Sequence, residues 1–582
     1  MRRVILAFLL TLIAAPALAD DAAVNRLVAD YEAWWMADDP ITAGRLGNVA
    51  ALSKLPDVTP AADGRRKAAL TGFKARIAAI PAAGLSDEAK LNRDVLAWTV
   101  DSSLSRLSFD EARMPFSSDG GFWDTLAYVA ATTPVRSKAD AEAWIARLEA
   151  APAYYRANVD NARRGVATRF TQPRSTVEIV IKQAQTTAAG SLDDDPLLQP
   201  LAKLPATIPA GEQAALRARA RAIVAERIRP AQRDFAAFLE RDYLPAARPG
   251  LGVRTLPDGE AYYRWLVHDH TTTNLTPDQI HEIGLSEVAR IRAQMQVVMV
   301  EAGWKGDLPG FIAMLRKDPR FYATSREDLL EKASEIAKRI DDQLPGWFAT
   351  LPRLTYGVRP VPRDIEAGYT TGRYWQGSPS QGVAGGYMVN TGALDQRGLY
   401  ELPALTLHEA VPGHHLQIAL AQELTGVPAF RRESGVTAFV EGWGLYAEEL
   451  GGHMGIYRDP YERFGRLSYE MWRACRLVAD TGMHWKGWSI DQARTCFTDN
   501  TALSPLNIEV ELARYVSWGG QALAYKVGEM KFIQLREKAR AELGPKFDIR
   551  RFHDALLLSG PLPLELVEAR IAAWTAAEKI RR

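Results

Sequence analysis

Apolar residues recur at spacings of three and four along most of this chain, and this period is that of an amphipathic helix. The same segments are rich in alanine, leucine, arginine and glutamate, which favour helices. The pattern is clear at residues 137–148, 212–238 and 326–344. The sequence therefore predicts a mostly α fold.

Helix boundaries are also visible. Thr276 can cap a first turn that contains Pro277, and Gln279 can reach back to complete a capping box, so we predict a helix running toward Glu301. Ser137 is a further candidate cap. Proline and glycine clusters interrupt the helical pattern at residues 116–122, 195–209, 249–259 and 351–386. The third cluster divides a predicted N-terminal lobe, residues 20–250, from a predicted C-terminal lobe, residues 251–582, which carries the candidate chemistry.

The first 19 residues have the pattern of a secretory signal peptide. Two arginines precede the apolar residues 4–15, and residues 17–19 read Ala-Leu-Ala, a small-residue cleavage site. No cysteine for lipid attachment stands at the junction. We expect a periplasmic or secreted protein without a membrane anchor after cleavage, and an uncleaved N-terminal anchor is the alternative.

The charges of the chain nearly cancel, since 71 Lys and Arg stand against 70 Asp and Glu for a formal net charge of +1. This balance gives no reason to expect nucleic acid or an acidic membrane as a partner. The two cysteines, Cys475 and Cys496, could pair in an oxidising compartment or remain two buried thiols.

The segment LTLHEAVPGHHLQ, residues 405–417, carries the strongest chemical signal. A zinc hydrolase site needs two neutral imidazoles, a third protein ligand and a carboxylate that accepts a proton from water. His408 supplies one imidazole, and the adjacent Glu409 can act as the general base. The second imidazole comes six or seven residues later, from His414 or His415, whereas the common signature places two histidines four residues apart on one helix face.

This spacing predicts a break in the helix. Residues seven apart on a straight helix lie about 10 Å apart at a rise of about 1.5 Å per residue, which is too far to share one ion at zinc–nitrogen distances of about 2.0–2.1 Å. Pro412 cannot continue the hydrogen-bond ladder, and Gly413 adopts conformations that other residues avoid. We predict that residues 411–413 bulge and return an imidazole to His408, with His415 preferred as the second ligand and His414 as the alternative.

The segment TAFVEGWGLYAEEL, residues 437–450, supplies the third candidate ligand. Glu441 stands in an otherwise apolar stretch, where a lone charge is costly unless it is paired or binds a metal. A buried salt bridge is the alternative role. Glu448 follows two turns later and can orient a ligand histidine. We expect one zinc ion, although manganese or cobalt accepts the same donors.

The segment GVAGGYMVNT, residues 382–391, reads as a strand with glycines beside it. Such an edge could align a peptide substrate as an added strand, with Tyr387 and Asn390 in contact with it. An ordinary small hairpin is the alternative.

Four segments resemble the bacterial DUF885 family: HEAVPGHHLQ, FVEGWGLYAE, RLVADTGMHWKGW and RYVSWGGQALAYKVG. The resemblance spans most of the mature chain. More distantly, the chain is similar to the helical gluzincin metallopeptidases of the angiotensin-converting-enzyme and bacterial metallocarboxypeptidase groups. This similarity implies a large two-lobed helical fold with a deep cleft and one small sheet near the active site, with Glu441 as a ligand and Glu409 as the base.

Residues 514–518 are similar to a stretch of the converting-enzyme group in which the tyrosine donates to the oxyanion. The similarity implies this role for Tyr515, and a core tyrosine is the alternative. Arg514 and Lys526 are expected to contact substrate, with Lys526 on a terminal carboxylate unless it reaches the surface. Asp480 is a candidate carboxylate behind a ligand histidine, unless the ion pairs on its helix face only brace the helix.

Together these residues predict an exported zinc metallopeptidase that hydrolyses small peptides as a carboxypeptidase or dipeptidase. A zinc hydrolase of non-peptide amides or esters fits the same residues, and so does a non-catalytic secreted binding protein with a vestigial metal site. Substrate profiling separates the first two functions, and a folded protein that cleaves no peptide supports the third.

Overall fold

The structure, a computed structural model, describes residues 20–363 and 365–581. The predicted signal peptide, residues 1–19, lies outside the described residues. The protein is mostly α, as the sequence predicts. The helices before residue 250 are α1 (Asp21–Asp38), α2 (Pro40–Arg45), α3 (Pro60–Ala78), α4 (Asp87–Phe109), α5 (Phe122–Thr132), α6 (Lys138–Thr168), α7 (Arg174–Ala189), α8 (Ala210–Ile223), α9 (Arg229–Phe238) and α10 (Leu244–Ala246).

The later helices contain the candidate site. They are α11 (Gly259–Thr271), α12 (Pro277–Glu301), α13 (Leu308–Lys317), α14 (Arg326–Trp347), α15 (Leu402–Glu409), α16 (His414–Glu423), α17 (Ala429–Arg432), α18 (Thr437–His453), α19 (Pro460–Thr481), α20 (Ile490–Asn500), α21 (Pro505–Ser517), α22 (Ala524–Leu543), α23 (Ile549–Leu557) and α24 (Leu564–Ile580). Among the described residues, no helix has both the length and the apolar character needed to cross a membrane.

The predicted helix starts are confirmed. The Thr276 hydroxyl accepts from the Gln279 amide at 3.2 Å, and the Gln279 side chain accepts from the Thr276 amide at 2.9 Å, which completes the capping box of α12. Ser137 caps α6 through the amide of Asp140. These contacts satisfy amides that a helix leaves unpaired at its first turn.

Two hydrophobic cores organise the chain. One draws its members from residues 24–100 and 253–571, together with Phe170, and the other from residues 116–243. The predicted boundary at residue 250 stays a prediction. The first core combines residues 24–100 with residues from the predicted C-terminal lobe. Cys475 on α19 and Cys496 on α20 form a disulfide, which decides between the two states that the sequence left open.

A small sheet stands beside the C-terminal helices. Its strands are β3 (Tyr356–Pro360), β4 (Gly372–Trp375) and β5 (Gly385–Val389), in the order β3-β5-β4, with β3 parallel and β4 antiparallel to β5. A separate hairpin is formed by β1 (Phe116–Ser117) and β2 (Gly120–Gly121). The strand predicted at residues 382–391 is present as β5, but it is the central strand rather than an edge.

The helices α18 and α22 pack in very close contact, which positions the candidate site. A Cβ atom on Gly442 of α18 would lie 2.5 Å from the Cα atom of Gly528 on α22. Only glycine at these two positions permits that approach. The approach brings Tyr525 of α22 close to Glu441 of α18.

Candidate metal centre

The break between α15 and α16 forms as predicted. A Cβ atom on Gly413 would lie 1.9 Å from the carbonyl oxygen of His408, so no larger residue fits there. The indole of Trp443 donates to the Pro412 carbonyl at 2.7 Å and holds the break against α18. The chain therefore folds back, and the start of α16 returns to the end of α15.

Three side chains meet at this break: His408 of α15, His414 of α16 and Glu441 of α18. One nitrogen or oxygen from each lies within 4.8 Å of the others. Oε2 of Glu441 is 3.6 Å from Nε2 of His408 and 3.3 Å from Nε2 of His414. The two imidazole planes are almost perpendicular, at 86°.

The donor set fits a divalent cation. Oε2 of Glu441 is buried and makes no hydrogen bond to any described residue, which is costly for a carboxylate oxygen. Two imidazoles and one carboxylate are the protein ligands of many catalytic zinc sites, with a fourth position open to water or substrate. Although burial alone would raise the pKa of Glu441, the neighbouring His414 and His408 hold that pKa well below its usual range.

Behind this group, Glu448 orients His408. Nδ1 of His408 donates to Glu448 at 2.8 Å, and Nη2 of Arg473 pairs with the same oxygen at 3.0 Å. The hydrogen bond expected from Glu448 to a ligand histidine is thus present, and it turns Nε2 of His408 toward Glu441. Burial opposes protonation, but Glu441 and Glu448 outweigh it and raise the pKa of His408 to about 9 in the metal-free protein.

A cavity of about 230 Å³ opens onto the three side chains. Glu409 also lines it, and its Oε2 accepts from the backbone N–H of Tyr374 on β4 at 2.7 Å. A carboxylate held by one backbone donor keeps an oxygen available for a proton. The position beside the candidate ligands is the one that a general base requires.

The family model described as "Bacterial protein of unknown function (DUF885)" matches residues 40–571. The chain belongs to the DUF885 family. The resemblance inferred from the four motifs is therefore confirmed, whereas the more distant one to gluzincins stays a prediction. No curated protein matches this chain.

Two solved structures share the fold of this DUF885 protein. The "putative lipoprotein" from Colwellia psychrerythraea has a TM-score of 0.90 at 26% identity, over 96% of this chain and all of its own. A "putative lipoprotein of unknown function" from Shewanella oneidensis has a TM-score of 0.70 at 19% identity, over 95% of this chain and all of its own. The second likeness shows the fold alone.

The preference for His415 as second ligand is corrected. Nε2 of His415 donates to the Leu354 carbonyl at 3.0 Å, and Nδ1 accepts from the Tyr374 hydroxyl at 3.1 Å. Both ring nitrogens are thus occupied by hydrogen bonds to residues in or beside the small sheet. Burial lowers the pKa of His415 to about 4. The alternative, His414, is the imidazole that reaches Glu441.

The predicted substrate contacts of Tyr387 and Asn390 are not found. The Tyr387 ring is fully buried with its hydroxyl 3.2 Å from Thr406, and the Asn390 amide donates to backbone carbonyls of residues 366, 369 and 370. Both residues support the sheet. The strand that lines the cavity is β4, which adjoins β5.

Tyr515 does not reach the cavity either. Its buried hydroxyl accepts from the indole of Trp472 at 2.8 Å and from Nε of Arg476 at 2.6 Å. Three other tyrosines line the cavity, Tyr374, Tyr469 and Tyr525, and the ring of Tyr525 lies nearly parallel to that of His408 at 6.3 Å. Burial, followed by the charge of Glu441, raises the pKa of Tyr525, so its hydroxyl keeps its proton and can donate.

Two further predicted roles are wrong. Lys526 is buried and pairs with Glu470 at 2.7 Å, with Glu287 at 3.1 Å and with Glu529, so it neither reaches the surface nor lines the cavity. Asp480 accepts from the Tyr263 hydroxyl and the Gly520 amide instead of a ligand histidine.

Arg514 lines the cavity as expected, and so do Arg473 and Arg476, to which the sequence assigned no role in the site. A signal for them was present, because both stand in the apolar run MWRACRLV, where a charge needs a buried partner. Nothing in the sequence singled out Tyr374, whose backbone amide holds Glu409.

Proposed function

We propose that this protein is a zinc-dependent peptidase that hydrolyses small peptides. The observation that carries the proposal is that His408, His414 and Glu441 converge on one point in a cavity that Glu409 also lines. A charged triad alone could be structural, but the buried oxygen of Glu441 that makes no hydrogen bond to any described residue and the neighbouring carboxylate of Glu409 favour a catalytic centre.

His408, His414 and Glu441 would hold the zinc ion, which when bound supplies Lewis acidity toward a carbonyl oxygen and toward water. Glu409 accepts the proton of the attacking water and delivers it to the leaving amine. The backbone amide of Tyr374 keeps its carboxylate in place for both transfers. Glu448 and Arg473 fix the ring of His408 from behind.

Tyr525 donates its hydroxyl proton as a hydrogen bond to the oxygen on which negative charge develops. It takes the role that the similarity to the converting-enzyme group implied for Tyr515, because it lines the cavity and lies close to His408. We expect Tyr525→Phe to lower kcat by about 100-fold with little change in KM. If Tyr515→Phe loses this much kcat and Tyr525→Phe loses none, Tyr515 is the oxyanion donor instead.

Export to the periplasm or secretion is part of the proposal. The disulfide between Cys475 and Cys496 is typical of an oxidising compartment, and two proteins of this fold are described as putative lipoproteins. The test is the location of the tagged full-length chain after cell fractionation. Recovery in the cytoplasm with both thiols reduced contradicts export.

Glu409→Gln tests the chemistry. The variant keeps the volume and the hydrogen bond from Tyr374 but cannot accept a proton, so we expect unchanged zinc affinity and a loss of about 10²- to 10⁴-fold in kcat. The measurements are zinc content and cleavage of a mixed peptide library by mass spectrometry. Glu423→Gln, at the last residue of α16 and outside the cavity, is the control. A Glu409→Gln protein that binds zinc and cleaves as fast as the parent contradicts the proposed base.

A further inference from the structure

Apart from the candidate ligands and Glu409, the cavity is lined by more arginines than acidic residues. Apart from Glu441 and Glu409, its acidic residues are Asp119 and Glu511. Its arginines are Arg373, Arg473, Arg476 and Arg514. When Glu441 and Glu409 are left out, four guanidinium groups stand against two carboxylates, and this balance favours a bound anion.

Three of the four arginines are committed to protein partners. Arg373 pairs with Asp119, and Arg473 pairs with Glu448. Arg514 uses Nε and Nη2 on Glu511 and Nη1 on Gln521.

Two of these arginines keep a buried guanidinium nitrogen without a hydrogen bond to any described residue, Nε in Arg473 and Nη1 in Arg476, and only in Arg476 is it a terminal nitrogen. Nε donates to Tyr515 and Nη2 to Glu511, but Nη1 is buried without a hydrogen bond to any described residue. The side chain is only 2% exposed. A buried guanidinium nitrogen without an acceptor is costly, and a carboxylate is the acceptor whose geometry suits it.

Arg476 and the candidate ligand His408 share a neighbour, the ring of Tyr525. Its Cζ atom lies 4.2 Å from the centre of the Tyr525 ring, whose other neighbour is the His408 ring at 6.3 Å. The Tyr525 ring is therefore close to both residues. Because one extended residue spans about 3.3–3.6 Å, the end of a peptide can reach Arg476 while a bond near that end lies beside His408.

We propose that Arg476 binds the free α-carboxylate of the substrate, so that the protein removes residues from the C-terminus of peptides. This inference rests on the proposed peptidase function and specifies its polarity. The carboxylate accepts from Nη1 of Arg476, with the charge of Arg514 alongside. Arg476 thus takes the part that the sequence gave to Lys526.

Binding of acids and amides tests the proposal directly. The probes are N-acetyl-alanyl dipeptides with each of the twenty residues at the C-terminus, as free acids and as C-terminal amides. Calorimetry on Glu409→Gln protein, with zinc and with a chelator, avoids hydrolysis and separates binding to the guanidinium from binding to a metal. In both states we expect at least one acid to bind about 10- to 100-fold more tightly than its amide.

Variants locate the carboxylate site. Arg476→Gln should abolish the preference for the acid, and Arg476→Lys should retain part of it. Arg536→Gln, at an equally buried arginine outside the cavity, should leave it unchanged. Equal binding of acids and amides, a preference seen only with zinc, or a preference that survives Arg476→Gln overturns the proposal. Should the Arg476 variants not fold, the acid–amide comparison in the chelated parent decides alone.

The proposed function fails separately. Suppose that acids bind more tightly than amides, that Arg476→Gln removes this preference, and that the zinc-loaded wild-type protein cleaves no peptide in the panel. The carboxylate site is then supported and the peptidase function is contradicted. If the wild type cleaves acids and amides at equal kcat/KM, the peptidase function stands and the terminal-carboxylate site falls.

Discussion

At the scale of single residues, the structure separates two neighbouring histidines. The side chains of His414 and His415 leave the first turn of α16 in different directions, one toward Glu441 and the other toward the sheet. Spacing limited the second ligand to these two but could not choose between them, because the choice depends on the backbone angles of residues 410–413. Only the packed structure supplies those angles.

His414→Gln and His415→Gln form a matched pair. We expect His414→Gln to lower zinc affinity by more than about 100-fold, since it removes a ligand, and His415→Gln to stay within about tenfold of the parent. Competition with a chelating dye measures both affinities. The reverse order of effects would return the ligand role to His415.

At the scale of elements, the sequence predicted helix starts and breaks within single segments, but not the strand order or the packing of helices on one another. The break at Pro412 and Gly413 and the capped start of α12 follow from local chemistry, and both are present. The central position of β5 depends on β3, whose residues, YGVRP, show no alternation and include a proline. Likewise, Tyr525 lines the cavity from α22, which packs closely on α18 at Gly442 and Gly528.

Gly413→Ala tests the break. The added methyl group would collide with the His408 carbonyl, so we expect a loss of about 1–3 kcal/mol in the free energy of unfolding, together with weaker zinc binding. Gly452→Ala on α18 meets no neighbouring atom and is the control, expected within about 0.5 kcal/mol of the parent. Urea unfolding and dye competition measure the two effects. If Gly413→Ala binds zinc like the parent, the tight turn is not needed for the metal group.

At the scale of the whole molecule, buried hydrogen bonds join segments that are distant in the sequence. His484, three residues after the end of α19, accepts from the Val253 amide at 3.1 Å and donates to the Tyr515 carbonyl at 2.8 Å. No local pattern predicted these contacts, because they join residues that lie 231 and 31 positions away from it.

His484 makes stability depend on pH. Burial, helped by the charge of Arg248 and opposed by the Tyr515 carbonyl, lowers its pKa to about 4 from an ordinary value of 6.5. The contribution of the neutral ring to stability is complete above pH 6.5 and falls as the pH drops toward 4. In this range His484 binds a proton in the unfolded chain but stays neutral in the folded protein. We expect a loss of about 3 kcal/mol across this window from His484 alone.

His484→Gln isolates this contribution, since the amide offers one donor and one acceptor but does not titrate between pH 7 and pH 4. The free energies of unfolding of wild type and variant are measured with urea at several pH values. As the pH falls from 7 to 4, the wild type should lose more stability than the variant. A difference that stays constant from pH 7 to pH 4 contradicts the assignment.

The convergence of His408, His414 and Glu441 on one ion is the claim from which the proposed chemistry follows. Anomalous diffraction at the zinc edge, from crystals grown with zinc, tests it most directly. We predict one strong peak within about 2.0–2.2 Å of an imidazole nitrogen of His408 and of His414 and of a carboxylate oxygen of Glu441. A map with no peak between these side chains, or with zinc bound by His415 instead of His414, contradicts the account.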